Sequence, residues 1–156
     1  YYTNSPINDS LVYQKARDLL VNNNPIKADI IFLHFDELDA AGHTFGFSPN
    51  IDEYRETLTI LDLYVDSLIS IVDRKRLSGE DWMCFLISDH GGDAKGHGDY
   101  NNTKIRETIF IVEHPLLKFK ENHKSNQTDV APTILDFIGI SSTKFDCKKD
   151  GESLIE

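Results

Sequence analysis

The sequence predicts an α/β fold, a mainly parallel sheet with helices on both faces, and three observations point there. Short apolar runs rich in β-branched and aromatic residues are bounded by turn signals. They alternate with longer segments of helical period, and the polar clusters sit directly behind the apolar runs. Strands separated by long helices imply right-handed crossovers, and in such sheets sites form beyond the carboxyl ends of strands.

Residues 9–21 open the series, with Leu11, Val12, Ala16, Leu19 and Leu20 near the 3.6 period and Asp9 or Ser10 as N-cap. Residues 22–25 break that helix, and residues 28–35 (ADIIFLHF) read as a strand covered on both faces. A Gly- and Pro-punctuated loop follows. Residues 51–76 then carry Tyr54, Leu58, Leu61, Val65, Leu68 and Val72 on one helical face, with acidic residues in the first turns and Arg74, Lys75 and Arg76 in the last. Residues 82–88 and 107–112 read as two further buried strands. Residues 129–138 read as a helix with Pro132 in its first turn, where a missing N–H costs nothing.

Composition narrows the function. The chain has 156 residues and is 40% hydrophobic, enough for one core, and carries 26 acidic against 16 basic side chains for a net charge of −10. That balance argues against a nucleic-acid or anionic-membrane surface, which needs clustered Lys and Arg. The longest apolar stretches are about four residues, far short of the roughly 20 needed to span a bilayer. Two cysteines, Cys84 in an apolar run and Cys147 in a polar tail, make no disulfide framework. Sequons at Asn8, Asn101 and Asn126 hint at a secretory route, and an opening Tyr1 in place of Met suggests a start inside a longer protein.

The chemistry lies behind the strands. After the first comes DELDAAGHTFGFSP, with Asp36, Glu37, Asp39 and His43. Asp39 and His43, four apart with Gly42 beside the histidine to let the backbone turn, can converge on one metal ion. The bland alternative is a turn-capping Asp39 and an exposed His43. After the second strand comes DHGGDAKGHGDYNN, with Asp89 and His90 at the strand tip, His97 seven residues on, and Gly91, Gly92, Gly96 and Gly98 around them. Its bland alternative is a Gly-rich surface turn, less economical once both clusters fall behind strands of one sheet. No P-loop lysine, G-x-S-x-G elbow, Cys-His pair or EF-hand spacing occurs. Imidazole and carboxylate ligands without thiolates favour Zn²⁺ first, with Mn²⁺ or a related ion next.

These residues resemble the alkaline phosphatase superfamily, in particular its type I phosphodiesterase/nucleotide pyrophosphatase branch. The match runs through DELDAAGHTFGF, EDWMCFLISDHGG, KGHG, RETIFIV, TDVAPTILDFIGI and DGESL, from about residue 28 to 154. The resemblance implies an alkaline phosphatase-like fold, incomplete here, with the chain as the single C-terminal part of a metallohydrolase domain. It implies two zinc ions, with Asp39, His43 and His97 as ligands of one and Asp89 and His90 as part of the set for the other. The family completes the second set with an aspartate and a Ser or Thr nucleophile expected N-terminal to this chain, for two-metal phosphoryl transfer with ions about 4 Å apart. The implied substrate is a phosphate ester, a phosphodiester or nucleotide pyrophosphate, and a secreted setting fits family and sequons together.

Alternatives from the same residues are a phosphoethanolamine-type transferase or another superfamily branch, and a non-catalytic metal-binding or partner-binding fragment, inactive when isolated. Cofactor-independent phosphoglycerate mutases are relatives with a different metal loop, which DELDAAGHTFGF resembles less than the phosphodiesterase and ethanolamine-phosphate transferase versions. A homodimer through an open sheet edge is a further expectation. Residues 44–50 and 99–104 flank ligands and could shape a pocket, and Arg106 is expected to pair with Glu107. His34 is expected in the core, His114 and His123 at the surface.

Overall fold

A computed structural model describes residues 8–21, 28–140 and 150–156; Cys147 and the breaker at 22–25 lie outside them. The chain divides into two units, Tyr1–Asp81 with Gly92–Ile105, and Trp82–Gly91 with Arg106–Glu156. No described helix is long and apolar enough to cross a membrane.

The first unit is helical. Helix α1 spans Asp9–Val21, α2 Glu37–Phe45 and α3 Asp52–Leu77. The amphipathic period sets the packing of α1 on α3: Ala16 and Leu20 are buried on one, and Leu68, Ile71 and Val72 on the other. Tyr13 stacks on Tyr64 with centroids 4.6 Å apart and planes 10° apart, and the Tyr13 and Ser67 hydroxyls lie 2.9 Å from each other. Acidic residues begin α3 and basic ones end it, as the macrodipole favours. Its last turn closes through Gly79 N–H to the Arg76 carbonyl and Glu80 N–H to the Lys75 carbonyl, with Gly79 at φ +94°.

The caps differ from expectation. Asn8, not Asp9 or Ser10, caps α1, its side chain accepting from Ser10 N–H at 3.0 Å. Asp9 turns to α2, where its carboxylate accepts from Asp36 N–H at 2.9 Å and Glu37 N–H at 3.2 Å. Glu37 answers by accepting from Asp9 N–H at 3.1 Å. The side chain of Asp36 makes no cap bond of its own.

The expected strand at residues 28–35 forms no ladder among the described residues. It is extended, with Ile31, Leu33 and Phe35 half-buried and Ile30, Phe32 and His34 exposed, so one face is covered and not two. His34 is therefore an exposed residue and not a core histidine.

The second unit holds β1, Cys84–Ile87, and β2, Phe110–Glu113, paired with Cys84 opposite Glu113 and Ile87 opposite Phe110. This pair is antiparallel and is the whole sheet among the described residues, in place of the expected mainly parallel one. The connection supplies no long crossover helix, only the one-turn α4, Thr103–Arg106, so the chain returns in the opposite sense. With two strands there is no enclosed central strand, and Leu86 and Ile111 stand exposed.

A 3₁₀ turn, Gln127–Asp129, leads into α5, Val130–Phe137, with Pro132 in its first turn as expected. Asn126 accepts from Thr128 N–H and Asp129 from Asn126 N–H, a capping box. Asp129 is 1% exposed, Thr133 0% and Leu154 2%. Thr133 Oγ1 donates to the Asp129 carbonyl at 2.6 Å and accepts from Leu154 N–H at 3.0 Å. Burial pushes the Asp129 carboxyl up, but donors from Glu152 N–H, His123 and Asn126 N–H outweigh it and hold the group below the usual carboxylate range. His123 lies 2.8 Å from Asp129 Oδ2 and 3.3 Å from Glu152 Oε1, half-buried between them and not a free surface residue.

Two outcomes are expected. Asp9→Ala removes the acceptor for two N–H groups of α2 and lowers unfolding stability by about 1–2 kcal/mol in urea titrations. Because Asp129 is a stronger acid folded than unfolded, its contribution is full above about pH 3.9 and shrinks as pH falls through its lower folded value. The gap in melting temperature between wild type and Asp129→Asn should therefore narrow on acidification below that point.

Candidate metal centre

Helix α2 carries Asp39 and His43 one turn apart, so both leave the same face. The segment expected to be a loop is thus helical, and Gly42 sits inside the helix without turning the backbone. His97 arrives on a loop that begins with a tight turn, in which Asp93 and Gly96 exchange N–H···O bonds of 3.0 Å and Ala94 has φ +52°. That turn docks on the end of α2: Phe47 N–H donates to the Ala94 carbonyl at 2.8 Å, and Lys95 Nζ to the Thr44 carbonyl at 2.6 Å. Asp93 fastens the rest of the loop, accepting from Lys104 Nζ at 3.0 Å and Asn102 Nδ2 at 2.8 Å. The Lys104 bond first, then the Asn102 bond, hold the Asp93 carboxyl below its ordinary range.

One ligand atom each from Asp39, His43 and His97 lies within 4.8 Å of the other two, the one such group among the described residues. His43 Nε2 is 3.0 Å from His97 Nε2 and 3.4 Å from Asp39 Oδ2, while His97 Nε2 is 3.8 Å from Asp39 Oδ1. The Lys95 carbonyl, 3.0 Å from His43 Nδ1, can only accept, so this contact calls for a proton on Nδ1, and in the neutral ring Nε2 then carries the lone pair. A lone pair facing a second imidazole nitrogen beside a carboxylate is a donor set that fits a divalent cation. All three side chains keep a third or more of their surface exposed, so the site is open on one side. Burial, and then the negative charge of Asp39, raise the Tyr54 hydroxyl above its ordinary pKa, so it stays protonated.

The ring of Phe47 fills the space beside these imidazoles. A Cβ added at Gly42 would lie 2.3 Å from Phe47 Cε1, and one at Gly92 2.3 Å from Phe47 Cδ1. Both positions need glycine because the ring occupies the Cβ site.

Asp89 and His90 follow β1 in the second unit. His90 Nε2 is 3.7 Å from Asp89 Oδ2, and His90 Nδ1 is 2.9 Å from the Gly91 carbonyl. Gln127 steadies this tip: its Nε2 donates to the Ser88 carbonyl at 2.8 Å and the Asp89 carbonyl at 2.7 Å. Sequence reasoning also missed Phe47 and the Lys95 carbonyl. The glycines at 42 and 92 were the available signal for the first, and a backbone acceptor has no signal in the residue types.

Residues 4–133 match the family described as type I phosphodiesterase/nucleotide pyrophosphatase. The chain belongs to that family, within the alkaline phosphatase superfamily. Among curated proteins it is 33% identical over 129 residues to a 2,3-bisphosphoglycerate-independent phosphoglycerate mutase of Malacoplasma penetrans, covering 79% of this chain and 23% of the mutase. It is 24% identical over 149 residues to the mutase of Ehrlichia canis, covering 92% of this chain and 27% of the mutase. It is 22% identical over 153 residues to GPI ethanolamine phosphate transferase 1 of Yarrowia lipolytica, covering 83% of this chain and 16% of the transferase. The chain thus spans about a quarter of the length of these mutases. No solved structure gives a significant match. The family profile agrees with the branch that residues 36–47 resemble, while the mutases show that relatives of another branch are also close.

Alanine is the better helix former by about 1 kcal/mol. Even so, Gly42→Ala is expected to destabilise the protein by about 1–3 kcal/mol, because the Phe47 ring is hemmed in by Gly92 and cannot retreat. Urea unfolding measures the sign.

Proposed function

We propose that this chain contributes most of the metal ligands to a two-metal, zinc-dependent phosphoryl-transfer site in a protein that hydrolyses phosphodiester or nucleotide pyrophosphate bonds. Asp39, His43 and His97 hold one ion, and Asp89 and His90 contribute to the second. The observation that carries this reading is the convergence of Asp39, His43 and His97 from a helix and a distant loop; family membership supports it. A divalent ion bound there supplies Lewis acidity toward a phosphoryl oxygen and reverses the local sign in a chain of net charge −10. The chain's own part is preparation. The Lys95 carbonyl orients the His43 ring through Nδ1, Asp39 supplies charge, and the Lys95 ammonium closes the end of α2. The Ser or Thr nucleophile is expected from a segment N-terminal to these residues.

A second reading keeps the site and changes the acceptor. The named relatives are a mutase and a transferase, which favours transfer to an organic hydroxyl over transfer to water. Product analysis separates the two, since a hydrolase releases the phosphoryl group to water whether or not an alcohol is offered.

Protein purified without chelator should contain zinc or a related ion. Asp39→Ala and His97→Ala should each lower metal content and bring hydrolysis of bis(4-nitrophenyl) phosphate by the full-length protein to the level seen with chelator. Metal-free protein, together with variants of unchanged behaviour, would sink the proposal.

A further inference from the structure

His43 and His97 belong to segments 54 residues apart, and an imidazole is free to swing about two side-chain bonds unless a neighbour stops it. His43 is held at one nitrogen by the Lys95 carbonyl. One apolar side chain touches both rings. Phe47 meets His43 edge to face at 5.4 Å and 81°, and His97 at 6.3 Å and 88°. Its own place is fixed on every side: Gly42 and Gly92 give it room that no Cβ could share, Tyr54 meets it at 6.0 Å and 62°, and its N–H is tied to the Ala94 carbonyl. The two imidazoles lie 4.9 Å apart between centroids with planes at 58°, and that ring is a neighbour of both.

We propose that Phe47 is the positioning residue of this metal site, setting the tilt of His43 against His97 and through it the affinity and ligand field of a bound ion. The proposal rests on the metal reading above. It differs from a packing role because a packing residue can be replaced by another apolar side chain without any change at the ion. Outer residues that orient ligands typically shift metal affinity by about 10- to 100-fold.

Cobalt(II) added to the metal-free full chain provides the test, because its visible absorption bands report ligand geometry independently of turnover. The wild type should take up Co²⁺ with bands that His97→Ala abolishes. Phe47→Leu, folded by circular dichroism and urea titration, should bind Co²⁺ about tenfold or more weakly and show shifted bands. Phe47→Leu with wild-type bands and affinity would overturn the positioning role while leaving the metal site intact. A wild type that takes up no Co²⁺, or takes it up regardless of His97, would overturn the metal reading and this proposal with it. If Phe47→Leu does not fold, Gly92→Ala decides: its Cβ presses on the same ring, so altered bands support the role and unaltered bands refute it.

Discussion

A helix of nine residues that carries two candidate ligands must start in one place, and Asp9 fixes where α2 starts. Four N–H groups at a helix start need acceptors, and the local candidate, Asp36, provides none from its side chain. A carboxylate from α1, 2% exposed, takes two of them, and Glu37 returns the bond. The two helix starts are thereby locked to each other. The packing of α1 on α3 through Tyr13 and Tyr64 completes the triangle in which α2 is held. A shift of one residue at the start of α2 would turn Asp39 and His43 by about 100° away from the loop that brings His97.

The helices were the legible part of the fold. Residues 9–21 and 51–76 carry long periodic patterns, and the structure places α1 and α3 within a residue of those bounds. Strand pairing was not legible, because four-residue runs such as CFLI say that a segment is extended and apolar but not which neighbour it meets or in which sense. The stretch at 36–47 was misread for a related reason. Gly42 looks like punctuation, whereas it marks the close approach of an aromatic ring five residues on.

For the candidate site, the residues that converge were legible and their supports were not. Four-residue spacing announces Asp39 and His43, and a histidine among glycines announces His97. Phe47 reads as one more aromatic, Gln127 as one more polar loop residue, and the Lys95 carbonyl has no letter at all.

An ion shared by His43 and His97, 54 positions apart, as proposed, would also be coupled to the fold. Ligands that distant are scattered in the unfolded chain, so a cation that binds them together binds the native state alone. Mass action would then make the first unit more stable as the free ion rises, by RT ln(1 + [ion]/Kd). On the proposed metal reading, a strong chelator would act on this unit as a mild denaturant.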